Sequence, residues 1–221
     1  MDVNISIISL KKDFEKRELL RTRLGKYDLN PTYIDAVNGK EMTASNYFSL
    51  RTCATSKFKG RKYFTPSELG CYLSHKKALE HFLTSEQDWL LVLEDDVDIV
   101  SNINNFLKEN NFDDNAIYIL GGQDGLRSLN RVIRTKVKYS NELYKVRLYT
   151  YRWLYRTCCY LISKKVALQI LDLMNNTSFM IDDWSFIMKN TQIDSIYYSR
   201  VFTHPVDLSN SSIEDERRSC L

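Results

Sequence analysis

Three adjacent carboxylates, Glu94, Asp95 and Asp96, follow the apolar run Trp89 to Leu93 in the stretch WLLVLEDDVDIV. A short apolar run bounded by polar residues reads as a buried strand, and in open α/β sheets ligands bind beyond the carboxyl ends of the strands. Side chains alternate along an extended chain, so Glu94 and Asp96 can point the same way. Two like charges so placed repel unless a cation sits between them. Carboxylate oxygens favour a hard ion such as Mn²⁺ or Mg²⁺, and such an ion commonly clamps a diphosphate. An acidic loop that caps the next element, with Asp98 adding to it, accounts for the same residues, and both readings stay open.

A second pair, Asp182 and Asp183 in FMIDDWSF, opens a predicted helix. Aspartate is favoured there as an N-cap, and a carboxylate within reach of an acceptor hydroxyl can act as a general base. Of the three histidines, His81 reads as a surface residue of a helix. His75, in YLSHKKAL, reads either as a packed residue or as a substrate contact. His204, in FTHPVD after the last predicted strand, could join Glu94 and Asp96 as a third metal ligand, although a lone histidine is more often structural.

The elements that must position these residues follow from periodicity. VNISIISL is a short β-branched strand, and the next segment, to Gly25, carries a helical stripe of Phe14, Leu19, Leu20 and Leu24. PTYIDAVNGK gives a second strand ending in an Asn-Gly turn, which completes a βαβ unit with a parallel pair. Residues 41–64 are less regular and read as an insertion or lid. TPSELGCYLSHKKALEHFL is a helix capped by Thr65 or Ser67, with Pro66 in its first turn and Leu69, Tyr72, Leu73, Leu79 and Phe82 on its apolar face. The acidic strand, a short helix and the strand AIYILGG come next. ELYKVRLYTY and TCCYLIS read as later strands, KKVALQILDLMN as a helix capped by Ser163, and IDSIYYSRVF as a late strand. The tail SNSSIEDERRSCL is polar and is expected to wrap the surface or to be mobile. The whole reads as one α/β domain, a mostly parallel Rossmann-like sheet with helices on both faces.

Composition bounds the function. The 221 residues are 43% hydrophobic and 27% charged, as in ordinary globular proteins. The 31 basic and 28 acidic residues give a net +3, too balanced for a nucleic-acid binder. Two basic clusters, KFKGRK and RVIRTKVK, read as solvated faces or as sites for an anionic substrate or an anionic membrane surface. Cys53, Cys71, Cys158, Cys159 and Cys220 form no C-x-x-C pair and are odd in number, which fits neither a zinc cluster nor a disulfide framework and suits reduced thiols in a cytoplasm. MDVNISIISL reads as a strand, not a secretion signal, and no apolar run nears the roughly 20 residues that span a bilayer. A cytoplasmic protein with peripheral contact at the inner face of the inner membrane is the expectation. Phosphate loops, dinucleotide fingerprints and G-x-S-x-G elbows are all missing.

Several segments together resemble glycosyltransferase family 25, the lipooligosaccharide galactosyltransferases and their collagen-modifying relatives. ISLKKDFEKRELL, YIDAVNGKEM, SELGCYLSHKKALE, LLVLEDDV, CCYLISKKVALQIL and MIDDWSF resemble that family's motifs in the family's order, from residue 5 to about 213. The resemblance implies a GT-A type fold, a UDP-galactose donor, an Mn²⁺ ion (with Mg²⁺ as the alternative) and inversion at the anomeric carbon. It places Glu94 and Asp96 at the metal and Asp95 at the donor. Ser9, Leu10, Arg17, Asp35, Ala36 and Asn38 fall where uridine and ribose would bind, and Ser74, His75 and Lys76 where donor sugar or phosphates would lie. Asp182 matches the family's motif as the base, whereas Asp183 suits the general pattern in which the base opens a helix. The donor part would span about 1–125, the acceptor part about 126–208, and the polar tail 209–221.

The resulting expectation is a metal-dependent transferase that adds galactose to a lipopolysaccharide or lipooligosaccharide core sugar. A catalytically silent nucleotide-sugar or glycan-binding protein of the same fold is the alternative. A metal-dependent phosphoesterase would need further His or Asp ligands that the sequence does not supply.

Overall fold

In a computed structural model, residues 1–54, 62–138, 140, 142–206 and 212–219 are described. The KFKGRK cluster lies outside them except for Lys62. The described strands join one sheet in the order β2-β1-β3-β8-β5-β9-β7-β6, with the short β4 (Asp98–Ile99) paired to β9. Here β1 is Val3–Ser9, β2 Thr32–Asp35, β3 Trp89–Glu94, β5 Ala116–Gly121, β6 Arg134–Lys136, β7 Tyr144–Val146, β8 Cys159–Ser163 and β9 Ser195–Thr203. Parallel pairing joins β1 to β2 and β3, and β5 to β9, whereas β8 is antiparallel to both its neighbours. Five of the six strands from β2 to β9 therefore point one way and β8 alone is reversed. Among the described residues no helix is long and apolar enough to cross a membrane.

Alternation along the strands builds two cores. Ile8, Leu90, Val92, Ile117, Ile119, Tyr160 and Ile162 face α3 (Pro66–Leu83), α5 (Lys164–Asn176) and α6 (Trp184–Asn190). Ile5, Ile7, Leu91, Leu93, Tyr118 and Leu161 face α1 (Phe14–Gly25) and α4 (Ile103–Glu109). Leu90 to Leu93 are each wholly buried, which stabilises by about 1.5–3 kcal/mol per side chain. That burial fixes the strand and so fixes where its acidic end emerges.

Helix α3 starts where its chemistry dictates. Thr65 accepts from the Glu68 amide and Glu68 accepts from the Thr65 amide, a reciprocal cap that satisfies two orphan donors, with Pro66 in the first turn. Its face of Leu69, Tyr72, Leu79 and Phe82 is buried, with Leu73 partly so. Ser163 caps α5 as expected, accepting from the Val166 amide.

Two expectations are corrected, and two gain detail. In α1 only Leu20 and Leu24 are buried. Phe14 and Leu19 are 65% and 52% exposed, because one i, i+4 pair already fills the strip of sheet that this helix covers. ELYKVRLYTY supplies only the three residues of β7, since Tyr149 turns into the left-handed region (φ 67°) and a 3₁₀ turn, Thr150–Trp153, follows. The segment read as irregular contains α2 (Ala44–Leu50), capped by Thr43. The polar tail contains α7 (Ser212–Ser219), which packs on α3.

Candidate active site

Register sets the rim of the site. Ser9 lies opposite Asp35, and Ile8 opposite Glu94, so three parallel strands end at one level. Asp98 of β4 lies opposite Thr203 of β9, which brings the chain after Asp96 alongside His204. Because β8 is reversed, its entrance, Thr157 to Cys159, also opens on this rim.

At the β1–β2 end, Arg17 donates to the Ser9 carbonyl at 2.5 Å and to Asp35 Oδ1 at 3.0 Å, and Lys11 lies 3.3 Å from Asp35 Oδ2. Burial alone would raise the Asp35 carboxyl, but the Arg17 and Lys11 contacts outweigh it and hold the group below its usual value. The Ala36 amide donates to the Ser9 carbonyl at 2.9 Å, the Leu10 carbonyl accepts from the Asp13 amide, and the Asn38 side chain accepts from the Lys40 amide. This end is held to α3 by backbone proximity. A Cβ at Gly70 would come within 2.5 Å of the Val37 carbonyl oxygen, so only glycine allows the approach. The Ser74 hydroxyl, buried, accepts from the Val37 amide at 2.8 Å and donates to the Gly70 carbonyl at 2.6 Å. Lys76 is partly exposed on the same helix.

The three carboxylates separate. Asp95 accepts from the Ser9 hydroxyl, with Lys16 3.8 Å away, and burial pushes its carboxyl up against both. Asp96 Oδ2 lies 3.2 Å from His204 Nε2. Burial would raise Asp96 and lower His204. The hydrogen bond between them overrides it, so Asp96 sits below and His204 above its ordinary value, as for an ion pair. Glu94 turns instead to α3, its Oε1 lying 3.4 Å from His75 Nε2 and accepting from the Thr157 hydroxyl at 3.3 Å. His75 is wholly buried, and its Nδ1 meets the Tyr160 hydroxyl at 3.1 Å.

Two groups could therefore take a cation. Asp96 Oδ1 is buried with no hydrogen-bond partner. An unpaired buried carboxylate oxygen is costly, and a hard ion would satisfy it; His204 could share that ion once its Nε2 gives up the proton that faces Asp96. The second group is Cys71, His75 and Glu94, whose ligand atoms all lie within 4.8 Å of one another. Cys71 and His75 are i, i+4 on α3, and a thiol, an imidazole and a carboxylate suit a borderline-soft ion. Burial raises the Cys71 thiol well above its usual value, and the charges of Glu94 and Asp182 push the same way. As placed, Glu94 belongs with this second group and not with Asp96 and His204.

The aspartate pair also divides. Asp183 is wholly buried and caps α6, its Oδ1 accepting from the Phe186 amide at 3.1 Å. Asp182 is partly exposed, and its Oδ2 accepts from the Arg156 amide at 3.2 Å. Arg156 adopts φ 63° and donates to the Gly122 carbonyl at 2.7 Å, tying the β5 exit to the base of the cleft. The sequence reading missed Arg156, Thr157, Tyr160, Lys16 and Cys71. Only Cys71 carried a local sign, its i, i+4 spacing from His75; the others arrive through the reversed strand or from a surface helix.

The strand ends gather carboxylates, two imidazoles and the partly buried Arg17 at one rim, and comparison places the chain among the glycosyltransferases. It belongs to glycosyltransferase family 25: the model of that family, described as glycosyltransferase family 25 (LPS biosynthesis protein), matches residues 2–185. A relative from Bos taurus, "Probable inactive glycosyltransferase 25 family member 3", is 29% identical over 111 residues, 48% of this chain and 18% of that protein. Procollagen galactosyltransferase 2 of Homo sapiens is 27% identical over 96 residues, 42% of this chain and 15% of that protein. The chain thus spans less than a fifth of either relative. Among solved structures, A197 from STIV aligns with TM-score 0.47 and 14% identity over 94% of this chain and 87% of that one. A glycosyltransferase involved in the glycosylation of the major capsid of PBCV-1 aligns with TM-score 0.44 and 11% identity over 99% and 100%.

Proposed function

We propose that the protein is a metal-dependent, inverting GT-A type hexosyltransferase, a β-galactosyltransferase that moves galactose from UDP-galactose to a core sugar of lipopolysaccharide or lipooligosaccharide. The observation that carries this reading is the Asp96–His204 pair, with a buried, unpartnered carboxylate oxygen at the rim where β1, β2 and β3 end. Family membership supplies the sugar transfer. The galactose donor is supported by the relative named a procollagen galactosyltransferase, and the acceptor by the family's description as an LPS biosynthesis protein.

In this reading Ser9, Leu10, Arg17, Asp35, Ala36 and Asn38 bind uridine and ribose, and Lys76 and Asp95 lie beside the diphosphate. Ser74 and His75 serve from behind: one holds the Val37 backbone, the other holds Glu94. Asp96 and His204 hold Mn²⁺ or Mg²⁺, and Glu94, two residues before Asp96, joins them on turning away from His75 and Thr157. Such an ion, when bound, neutralises diphosphate charge and eases departure of UDP. Asp182 takes the proton from the attacking acceptor hydroxyl, a role favoured by its partial exposure. Asp183 fixes the start of α6 next to it. The donor half spans about 1–125 and the acceptor half about 126–208, and the protein works as a peripheral protein at the inner face of the inner membrane.

The test is a donor screen by calorimetry or thermal shift with UDP-galactose, UDP-glucose, UDP-N-acetylglucosamine and CMP-sialic acid, each with and without Mn²⁺. Stabilisation by UDP-galactose that requires Mn²⁺ is the expected result. UDP binding with no turnover across a broad acceptor panel would favour a silent binding protein, and no response to any donor would remove the transferase reading.

A further inference from the structure

Charge is unevenly distributed along the chain. Residues 127–152 hold eight lysines and arginines and one acid, Glu142, a net +7; the whole chain is +3, so the rest carries −4. All eight of these cations are exposed. They sit on and beside the β6–β7 hairpin, whose outer strand β6 is exposed at every residue and ends the sheet. Edge strands carry cations commonly enough to discourage pairing, so charge alone decides nothing.

Apolar exposure at the same place does. Ile133, Leu148 and Tyr149 are 50%, 59% and 71% exposed. The fold makes them neighbours: the Arg147 amide donates to the Ile133 carbonyl at 2.9 Å, and the Ile133 amide donates to the Thr150 hydroxyl oxygen at 3.3 Å. Tyr149 is turned outward by its left-handed backbone (φ 67°), a conformation costly for a bulky residue. Arg131 and Arg152 lie over the Trp153 ring, at 4.5 and 5.2 Å from its centroid. Along the hairpin an open groove of about 520 Å³ is lined by Lys136, Lys145, Arg147, Leu148 and Tyr197 among others. Cations flanking a projecting apolar and aromatic tip are the composition of a surface that inserts shallowly at an anionic interface.

We infer that the β6–β7 hairpin and the adjoining 3₁₀ turn form a docking face for an anionic lipid bilayer, with Ile133, Leu148 and Tyr149 entering the headgroup region and the surrounding cations facing acidic headgroups. Charge complementarity selects this occupant over a protein partner, since the face is net +7 on a chain otherwise negative. The docked segment runs directly into the site, through Trp153 to Arg156, which donates to Asp182. Docking would thus present the acceptor side of the cleft to the membrane. The inference deepens the proposed function and rests on it only for the nature of the acceptor.

The test is co-sedimentation of the full chain with phosphatidylcholine vesicles with and without phosphatidylglycerol, at low and high salt. Three proteins are compared: the wild type, Arg134→Gln/Lys136→Gln/Arg147→Gln, and Leu148→Ser/Tyr149→Asn, each checked for an unchanged melting temperature and for donor binding. Salt-sensitive binding to the anionic vesicles alone is expected. The charge variant should bind about 10²-fold more weakly, at about fivefold per cation, and the apolar variant roughly tenfold more weakly. No binding to anionic vesicles overturns the inference, and so does binding that either variant retains in full. Displacement by soluble polyphosphate, with the apolar variant binding normally, would mark a simple anion-binding face and also overturns it. Loss of donor binding in the wild type would instead count against the transferase reading, so the two failures are distinguishable.

Discussion

His204 meets Asp96 across the end of the sheet, Nε2 to Oδ2 at 3.2 Å, because the ladder that sets Asp98 opposite Thr203 carries their neighbours into register. Replacing Asp96 by Asn keeps the shape and removes the charge that a divalent ion needs. With several kcal/mol of charge stabilisation at stake, kcat should fall roughly 10²-fold or more, together with the Mn²⁺ dependence of donor binding. His204→Ala should weaken the metal response in the same direction. Full activity of Asp96→Asn with Mn²⁺ present would show that this pair is not the metal site.

Asp182 and Asp183 are adjacent but differ in surroundings, so their variants should separate. Asp182→Asn should lower kcat by about 10²–10⁴-fold with little change in melting temperature. Asp183→Ala removes a helix cap, which costs about 0.5–2 kcal/mol, and should lower the melting temperature by a few degrees. Steady-state kinetics and thermal unfolding on both variants decide it. A loss of activity confined to Asp183 variants of normal stability would move the base to Asp183.

Gly70→Ala drives a Cβ to 2.5 Å from the Val37 carbonyl oxygen. Backbone must give way, at about 1–3 kcal/mol, and what gives way is the loop that follows Asp35 at the end of β2 and carries Asn38. The variant should melt lower and show a raised KM for the donor, with KM for the acceptor unchanged.

The α7 helix is pinned to α3 by Glu216, which accepts from the Ser67 amide and hydroxyl, both at 2.8 Å. Burial alone would raise this carboxyl; the hydrogen bonds from Ser67 and Thr65 and the charge of Lys40 outweigh it, so its folded value is depressed. A depressed carboxyl contributes stability above its unfolded value, near 4.5, and loses it as pH falls through the lower folded value. Protection factors over 212–219, with the intrinsic pH dependence of amide exchange divided out, should therefore fall in acid. Glu216→Gln should show that lower protection already at neutral pH.

Much of this arrangement can be read in the sequence, for physical reasons. The run Trp89–Leu93 and the reciprocal Thr65/Glu68 cap are local signals, and local signals place β3, α3 and the acidic rim. The direction of β8 is not local: CCYLIS is buried on both faces whichever way it runs, and only tertiary pairing reverses it. That reversal brings Thr157 and Tyr160 to Glu94 and His75, so the partner of Glu94 could not be read from its own segment. Asp182 and Asp183 look alike in sequence, and burial alone separates them.

The reversed strand has one more consequence. β5 leaves the sheet at the rim and β8 re-enters it there, side by side, with Ile119 paired to Tyr160. The chain between them, 122–158, is anchored at both ends and pinned once more where β7 of the hairpin pairs with β9. Its span is set by the sheet, and doubling its length would add only about 0.6 kcal/mol of closure entropy. β1, β2 and β3 lie outside that stretch, so on the proposed reading its outer turns form a cassette: they could be lengthened, trimmed or exchanged to suit a different acceptor while the strands beneath them stay in place.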